Sequence, residues 1–419
     1  MIIGTFAQLL SLSSLPLRGP ISDDQLEIIP DAGIVVRDGL IVETGKFADL
    51  EQRYPDEELS LLEGDYVAFP GLIDAHTHIC WAGTRAGDYA RRLAGSSYLA
   101  IAKAGGGIPD TVRKTRAASR DDLVQLILQR ANEHLHRGVT TIEVKSGYGL
   151  SVDEELKLLE AIQEADKQCE ADLIATCLAA HIVPPEFKEA EATPESPEFR
   201  YLEELLTRLL PEIRRRNLSN RVDIFVEKGA FSTEAALGYL LAAGDLGFDR
   251  VIHGDQFTVG AAELANEVQA ISIDHLEAAD LSEIITLANG TTIPVALPGA
   301  SIGLGEPFAP ARKLLDAGTS LAIASDWNPG SAPMGNLLTQ AAILGAAQKL
   351  SMAEVWAAIT FRAAAALKLN DRGTLQPGKK ADFIAFQTND YREVLYRQGE
   401  LRPSQVFKNG IPHQLTTNG

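Results

Sequence analysis

Between residues 67 and 325 the apolar positions of this chain switch repeatedly between two periods. Short runs rich in β-branched residues, at 67–74, 140–145, 173–180, 222–227, 250–253, 270–274, 292–297 and 321–325, read as strands. Apolar residues at three- and four-residue spacing predict helices over 121–136, 153–167, 202–215, 233–241 and 334–349. Eight strands alternating with helices make an α/β chain, and a closed (β/α)8 TIM-like barrel is the economical architecture. An open doubly wound sheet is the alternative. No G-x-G-x-x-G follows an early strand to mark a dinucleotide site. Gly105-Gly106-Gly107 falls in the long loop after the first strand, as a lid or substrate loop.

The two ends of the chain have a different texture. Residues 1 to 65 alternate short β-rich runs with turn signals, and Asp38-Gly39 between two apolar runs predicts a tight hairpin. The same style returns after Gly373 in GTLQPGKKADFIAF and SQVFKNG. Neither end alone has enough strands to bury a face. They are therefore expected to meet in one small composite β-sandwich, residues 1–65 with 371–419, beside a barrel over 66–370.

Composition narrows the classes. At 419 residues the chain fits a large barrel with an added domain, and 45% apolar residues are ample for its core. A net charge of -19 argues against a nucleic-acid surface or an anionic membrane as partner, and an anionic small-molecule substrate needs a local cationic clamp. No run reaches the roughly 18 apolar residues of a membrane span. Cys80, Cys169 and Cys177 form no C-x-x-C pair, which argues against disulfides and a thiolate zinc site. The mildly apolar start has no basic residue before Arg18 and reads as a strand, so the expected location is cytoplasmic.

Candidate chemistry begins at FPGLIDAHTH, where an apolar strand ends in His76 and His78. Residues i and i+2 of a strand share a face, so both imidazoles can address one point, as half of a metal site. Barrel active sites lie at the C-terminal ends of the strands. Reading those ends in order gives His76 and His78, Lys145, His181, Glu227, His253, His275 and Asp326. Five of the eight histidines thus fall at strand exits, while His134, His136 and His413 lie elsewhere, in solvated or structural roles.

This layout resembles the amidohydrolase superfamily. Within it, AGTRAGDYARRLAGSSY, AGGGIPDTVRKTRAAS, GVTTIEVKSGYGL, AAHIVPPEF, FVEKGAF, HGDQF and ASDWNPGSAP resemble the imidazolonepropionase family. The resemblance implies one divalent metal ion per chain, zinc or iron, held by His76, His78, His253 and Asp326. Neutral imidazoles with one carboxylate suit such an ion. It further implies that Asp326 accepts a proton from the attacking water while His275 orients that water or steadies the oxyanion. Arg85 is implied as the clamp for a substrate carboxylate, Tyr148 and His181 as contacts to the ring or its carbonyl, and Tyr98 as a further contact. Asn328, Gly330 and Ser331, in a turn after the aspartate, could offer donors to a carboxylate. Gln256 stands where deaminases of the superfamily place a glutamate, and it can hydrogen-bond but not ionise. Lys145 or Glu227 could in principle bridge a second metal.

The implied reaction is hydrolysis of the ring amide of 4-imidazolone-5-propanoate to N-formimidoyl-L-glutamate, in histidine breakdown. Deamination of a nucleobase is the alternative within the superfamily, and Gln256 argues against it. A non-catalytic scaffold is the alternative outside it, and predicts degraded ligands. The resemblance also implies a homodimer.

Overall fold

The computed structural model of the chain describes residues 1–96, 104–188 and 196–413, so Tyr98 lies outside the described residues. The strands in chain order are β1 (Ile2–Leu10), β2 (Ile28–Arg37), β3 (Leu40–Lys46), β4 (Leu59–Leu61), β5 (Tyr66–Pro70), β6 (Leu72–Asp74), β7 (Val139–Lys145) and β8 (Asp172–Ala180). They continue as β9 (Arg221–Val226), β10 (Asp249–Gly254), β11 (Ser272–His275), β12 (Ile293–Ala296), β13 (Ala322–Ile323), β14 (Phe383–Gln387), β15 (Gln405–Lys408) and β16 (Ile411–His413).

Strands β6 to β13 pair in sequence order, all parallel, as the (β/α)8 barrel requires. The ring closes just beyond the ends of β6 and β13. There the Asp326 N–H donates to the His76 carbonyl and the His78 N–H to the Trp327 carbonyl, each at 3.0 Å. Closure of the barrel therefore brings the H-x-H pair beside the aspartate that follows the last strand. Alternation along β7 shows how each strand serves two environments. Ile142 and Val144 join the apolar core under the helices, whereas Glu143 and Lys145 face inward and are fully buried.

The stretch expected as one strand over 67–74 is two. β5 pairs antiparallel with β14 in the terminal sheet, and β6 begins the barrel. Gly71 separates them, at a point where a Cβ would lie 2.3 Å from Thr140 Oγ1, so only glycine passes. The helix expected over 202–215 runs from Pro197 to Arg216 with a π turn at Leu205–Leu209. Pro211 has no N–H for the carbonyl one turn earlier, and the helix widens there.

The terminal sheet joins both ends of the chain in the order β16-β15-β14-β5-β1-β2-β3, with β4 beside β1. Its hairpin turn is Asp38-Gly39, both at positive φ (50° and 76°), as the tight turn between β2 and β3 demands. One face, with Phe6, Tyr66, Ala68, Phe383 and Phe407, makes a core of its own. The alternate residues Val67, Phe69, Ile384 and Phe386 join the barrel core. Asp172, at the start of β8, fastens the sheet to the barrel by pairing with Arg372, with Lys380 at 2.8 Å and with Lys408 at 2.9 Å.

Candidate active site

Four side chains meet at the mouth of the barrel. His76 Nε2 and His78 Nε2 are 3.2 Å apart, and His253 Nε2 is 3.5 Å from His78 Nε2. Asp326 Oδ1 lies 3.5 Å from His76 Nε2 and 3.4 Å from His78 Nε2. A tetrahedral set of donors about 2.0–2.1 Å from an ion has edges of roughly 3.3 Å, so the spacing matches. Tautomers point the same way. His76 Nδ1 donates to Asp274 Oδ2 at 2.6 Å, and His253 Nδ1 lies 2.9 Å from Asp223 Oδ2. Carboxylates only accept, so both Nδ1 atoms carry the hydrogen and both Nε2 lone pairs face the common point.

Bare lone pairs at this separation repel, and a cation between them removes the repulsion. Burial pushes His78 down to about 3, and His253 to about 3 against the pull of Asp223. Burial, with Lys145 beside it, holds His76 well below the ordinary imidazole range. All three are therefore neutral donors at physiological pH, the form that binds a metal. The residues present fit a divalent metal ion.

His275 reaches the same mouth by a different route. Strict alternation from Asp274, which faces inward, would turn it toward the helices. Positive φ at His275 (91°) and Leu276 (71°) takes the chain out of the β region, and the ring lies 5.4 Å from that of His253. Its Nδ1 is 3.3 Å from Glu277. Burial lowers its pKa, but Glu277 more than offsets this and leaves it raised.

The other strand-end candidates divide. Lys145 is fully buried among Glu143, Asp223 and Asp274, at 2.8, 2.8 and 3.5 Å. Glu227 accepts from the N–H groups of Phe257 at 2.9 Å and Thr258 at 3.1 Å, which spends it on shaping the loop after β10. His134 is buried rather than solvated, 3.2 Å from Asp74 and against the Trp327 ring, where it braces the barrel closure.

Comparison with known proteins places this constellation. A sequence profile of the Amidohydrolase family matches residues 67–412, and one of an imidazolonepropionase-like composite domain of bacteria matches residues 32–56. The imidazolonepropionase of Bacillus velezensis is 38% identical over 412 residues, which span 98% of this chain and 96% of that one. That of Deinococcus radiodurans is 40% identical over 396 residues, spanning 94% and 95%. The chain belongs to the imidazolonepropionase family of amidohydrolases. Among solved structures, an adenosine deaminase from Xanthomonas campestris with bound zinc matches with TM-score 0.70 at 18% identity, covering 98% of this chain and 92% of that one. A guanine deaminase from C. acetobutylicum with bound guanine gives 0.65 at 15%, with 99% of each chain covered. At these identities the two show the fold alone.

In this amidohydrolase barrel two of the expected substrate residues lie beside the ligand histidines. The rings of Tyr148 and His181 lie 5.9 and 5.7 Å from that of His78. His181 Nδ1 donates to the Gly147 carbonyl at 3.0 Å, which leaves Nε2 as an acceptor. Arg85 Nε donates to Asp88 at 3.1 Å, and its guanidinium packs against Gly330, whose added Cβ would fall 2.1 Å from Nη1. Gln256 is half-buried and makes no side-chain hydrogen bond to a described residue.

One expectation is redirected. The N–H groups of Gly330 and Ser331 both donate to Asn328 Oδ1, at 2.7 and 2.8 Å. Asn328 Nδ2 donates to the Asp326 carbonyl at 2.7 Å and to Ser331 Oγ at 2.8 Å. The donors of this turn are thus used within it, because an Asx turn folds them inward.

Sequence reading passed over Asp223, Asp274, Glu143, Glu277, Arg92 and Phe225. For Glu143, Asp223 and Asp274 the available signal is a charged residue inside an otherwise apolar strand, which burial tolerates only with a partner; Glu277, Arg92 and Phe225 carry no such mark. Arg92 donates to the carbonyls of Gly303 and Gly330, at 3.0 and 3.1 Å, and ties the first loop to the last. Phe225 lies between the rings of His181 and His253, at 6.3 and 5.9 Å, as an apolar wall.

Proposed function

We propose that this chain hydrolyses the ring amide of 4-imidazolone-5-propanoate to N-formimidoyl-L-glutamate, a step of histidine breakdown. One divalent ion, zinc or iron, is held by His76, His78, His253 and Asp326. The observation that carries the reading is three neutral imidazoles and a carboxylate converging at tetrahedral spacing, in a chain about 40% identical to imidazolonepropionases along its length. When bound, the ion supplies Lewis-acid polarisation and lowers the pKa of water.

The chain's own groups supply the rest. Asp326 Oδ2, on the side of Ser331 Oγ, takes the proton of the attacking water and returns it to the leaving ring nitrogen. His275, whose pKa the neighbouring Glu277 raises, gives a hydrogen bond to the carbonyl oxygen as charge builds there. Arg85 pairs with the propionate, and Asp88 fixes its orientation. Tyr148, His181 and Phe225 hold the ring. Gln256 offers a hydrogen bond without a titrating proton, which favours amide hydrolysis over a deamination that needs a proton shuttle at that place.

No described helix is long and apolar enough to cross a membrane. The free cysteines have thiols pushed up to about 12 at Cys80 and Cys177 and about 11 at Cys169, all by burial, and the cytoplasm is the compartment proposed. The assembly proposed is a homodimer, which light scattering tests.

The test is an ultraviolet assay of metal-analysed protein with freshly made 4-imidazolone-5-propanoate. Rapid loss of ring absorbance with release of N-formimidoyl-glutamate is expected, and ammonia release from guanine or cytosine in its place would overturn the reading. Arg85→Ala should raise KM about 10- to 100-fold, the worth of a charge-assisted hydrogen-bond pair, and leave kcat within about threefold. Gly330→Ala should do the same more weakly, because the new methyl displaces the Arg85 guanidinium. An unchanged KM in both would remove Arg85 from the substrate.

A further inference from the structure

Beneath the four converging donors lies a second group with the makings of a cation site. Asp223, His253 and Asp274 offer ligand atoms within 4.8 Å of one another, all buried. Glu143 adds a third carboxylate, bonded through Oε1 to Thr176 Oγ1 at 2.6 Å. One oxygen each of Glu143, Asp223 and Asp274 is buried with no hydrogen-bond partner. Buried acidic groups in this number require a cation among them.

The cation is already part of the chain. Lys145 Nζ sits 2.8 Å from Asp223 Oδ2 and 3.5 Å from Asp274 Oδ2. Those same two oxygens receive the ligand imidazoles: Asp223 Oδ2 lies 2.9 Å from His253 Nδ1, and Asp274 Oδ2 lies 2.6 Å from His76 Nδ1. Each oxygen is bracketed by the ammonium below and a ligand histidine above. Lys145 is in turn fixed by Glu143 at 2.8 Å, two residues back on the same face of β7. Burial opposes the charge on Lys145, but Asp223, Glu143 and Asp274 together overcome it and raise its pKa.

We propose that Lys145 is the built-in counter-cation of the metal centre: it takes the place a second metal ion could fill, and it holds Asp223 and Asp274 as acceptors that orient His253 and His76. Lys145 is thus a positioning residue, acting on the reaction through two carboxylates and two histidines. The inference rests on the proposed one-metal reading and adds the reason why the count stops at one. A fixed ammonium presents one positive charge with tetrahedral donors, whereas a divalent ion there would repel the ion at the mouth and have to displace a side chain with three acidic partners.

The test is zinc stoichiometry and affinity, read by elemental analysis after incubation with excess zinc and desalting, and by competition with a chelator. Wild type should hold one ion per chain. Lys145→Met, nearly the same length without charge, should hold two, and its affinity for the first ion should fall about 10-fold or more. Retention of one ion at unchanged affinity overturns the proposal, and one ion at weakened affinity overturns the exclusion of the second. Should Lys145→Met fail to fold, Asp274→Asn decides. A 10- to 100-fold weaker zinc affinity with a wild-type circular dichroism spectrum supports the positioning chain, and unchanged affinity overturns it. Wild type without any ion would instead bring down the metal reading itself, before the lysine enters.

Discussion

Asp326→Asn, in protein reloaded with metal to the wild-type level, should lose at least about 10³-fold in kcat/KM, equivalent to some 4 kcal/mol of transition-state stabilisation. Asparagine preserves the size of the side chain, and the Asn328 amide keeps its bond to the residue 326 backbone carbonyl. What it removes is the oxygen that can take a proton, and one negative charge facing His76 and His78. The residue is also held in an uncommon backbone conformation, with φ at 51°, which the barrel closure imposes through its N–H bond to His76. Steady-state kinetics beside metal analysis separates the two losses. If the variant binds metal normally and keeps activity within tenfold of wild type, the base is not Asp326, and a matching loss in His275→Asn would move the duty there.

Phe69→Ala should cost about 3–5 kcal/mol of stability, the range for truncating a fully buried aromatic residue. Phe69 is 0% exposed, stacks on Trp356 with ring centroids 3.8 Å apart and meets Phe386 edge-on at 6.0 Å. These three rings come from β5, from the helix Met352–Ala358 and from β14, so the cavity would open where terminal sheet and barrel join. Urea unfolding followed by circular dichroism gives the shift. A loss below about 1 kcal/mol would mean that the cavity collapses, or that the sheet and barrel unfold independently. The second outcome shows as two separated transitions.

Much of this fold is written in local pattern. Eight β-branched runs spaced by helical periodicity define the barrel strands, because a strand buried between helices and interior must be apolar on at least one face. The H-x-H at the end of the first barrel strand needs only the two-residue period of a strand to bring two imidazoles to one side. Asp38-Gly39 specifies its hairpin because few other pairs tolerate positive φ at both positions.

The tertiary structure decided which distant residues share an oxygen. That Asp223 and Asp274 hold the Nδ1 atoms of His253 and His76, and that Lys145 holds both, depends on the parallel register of the six neighbouring strands β6 to β11. Local periodicity marks which face a residue takes and not which residue stands across from it. It also cannot report the positive φ that turns His275 back to the mouth, or the break at Gly71 where one apolar run serves two sheets. Those features arise from closing a ring of strands, and closure is a property of the whole chain.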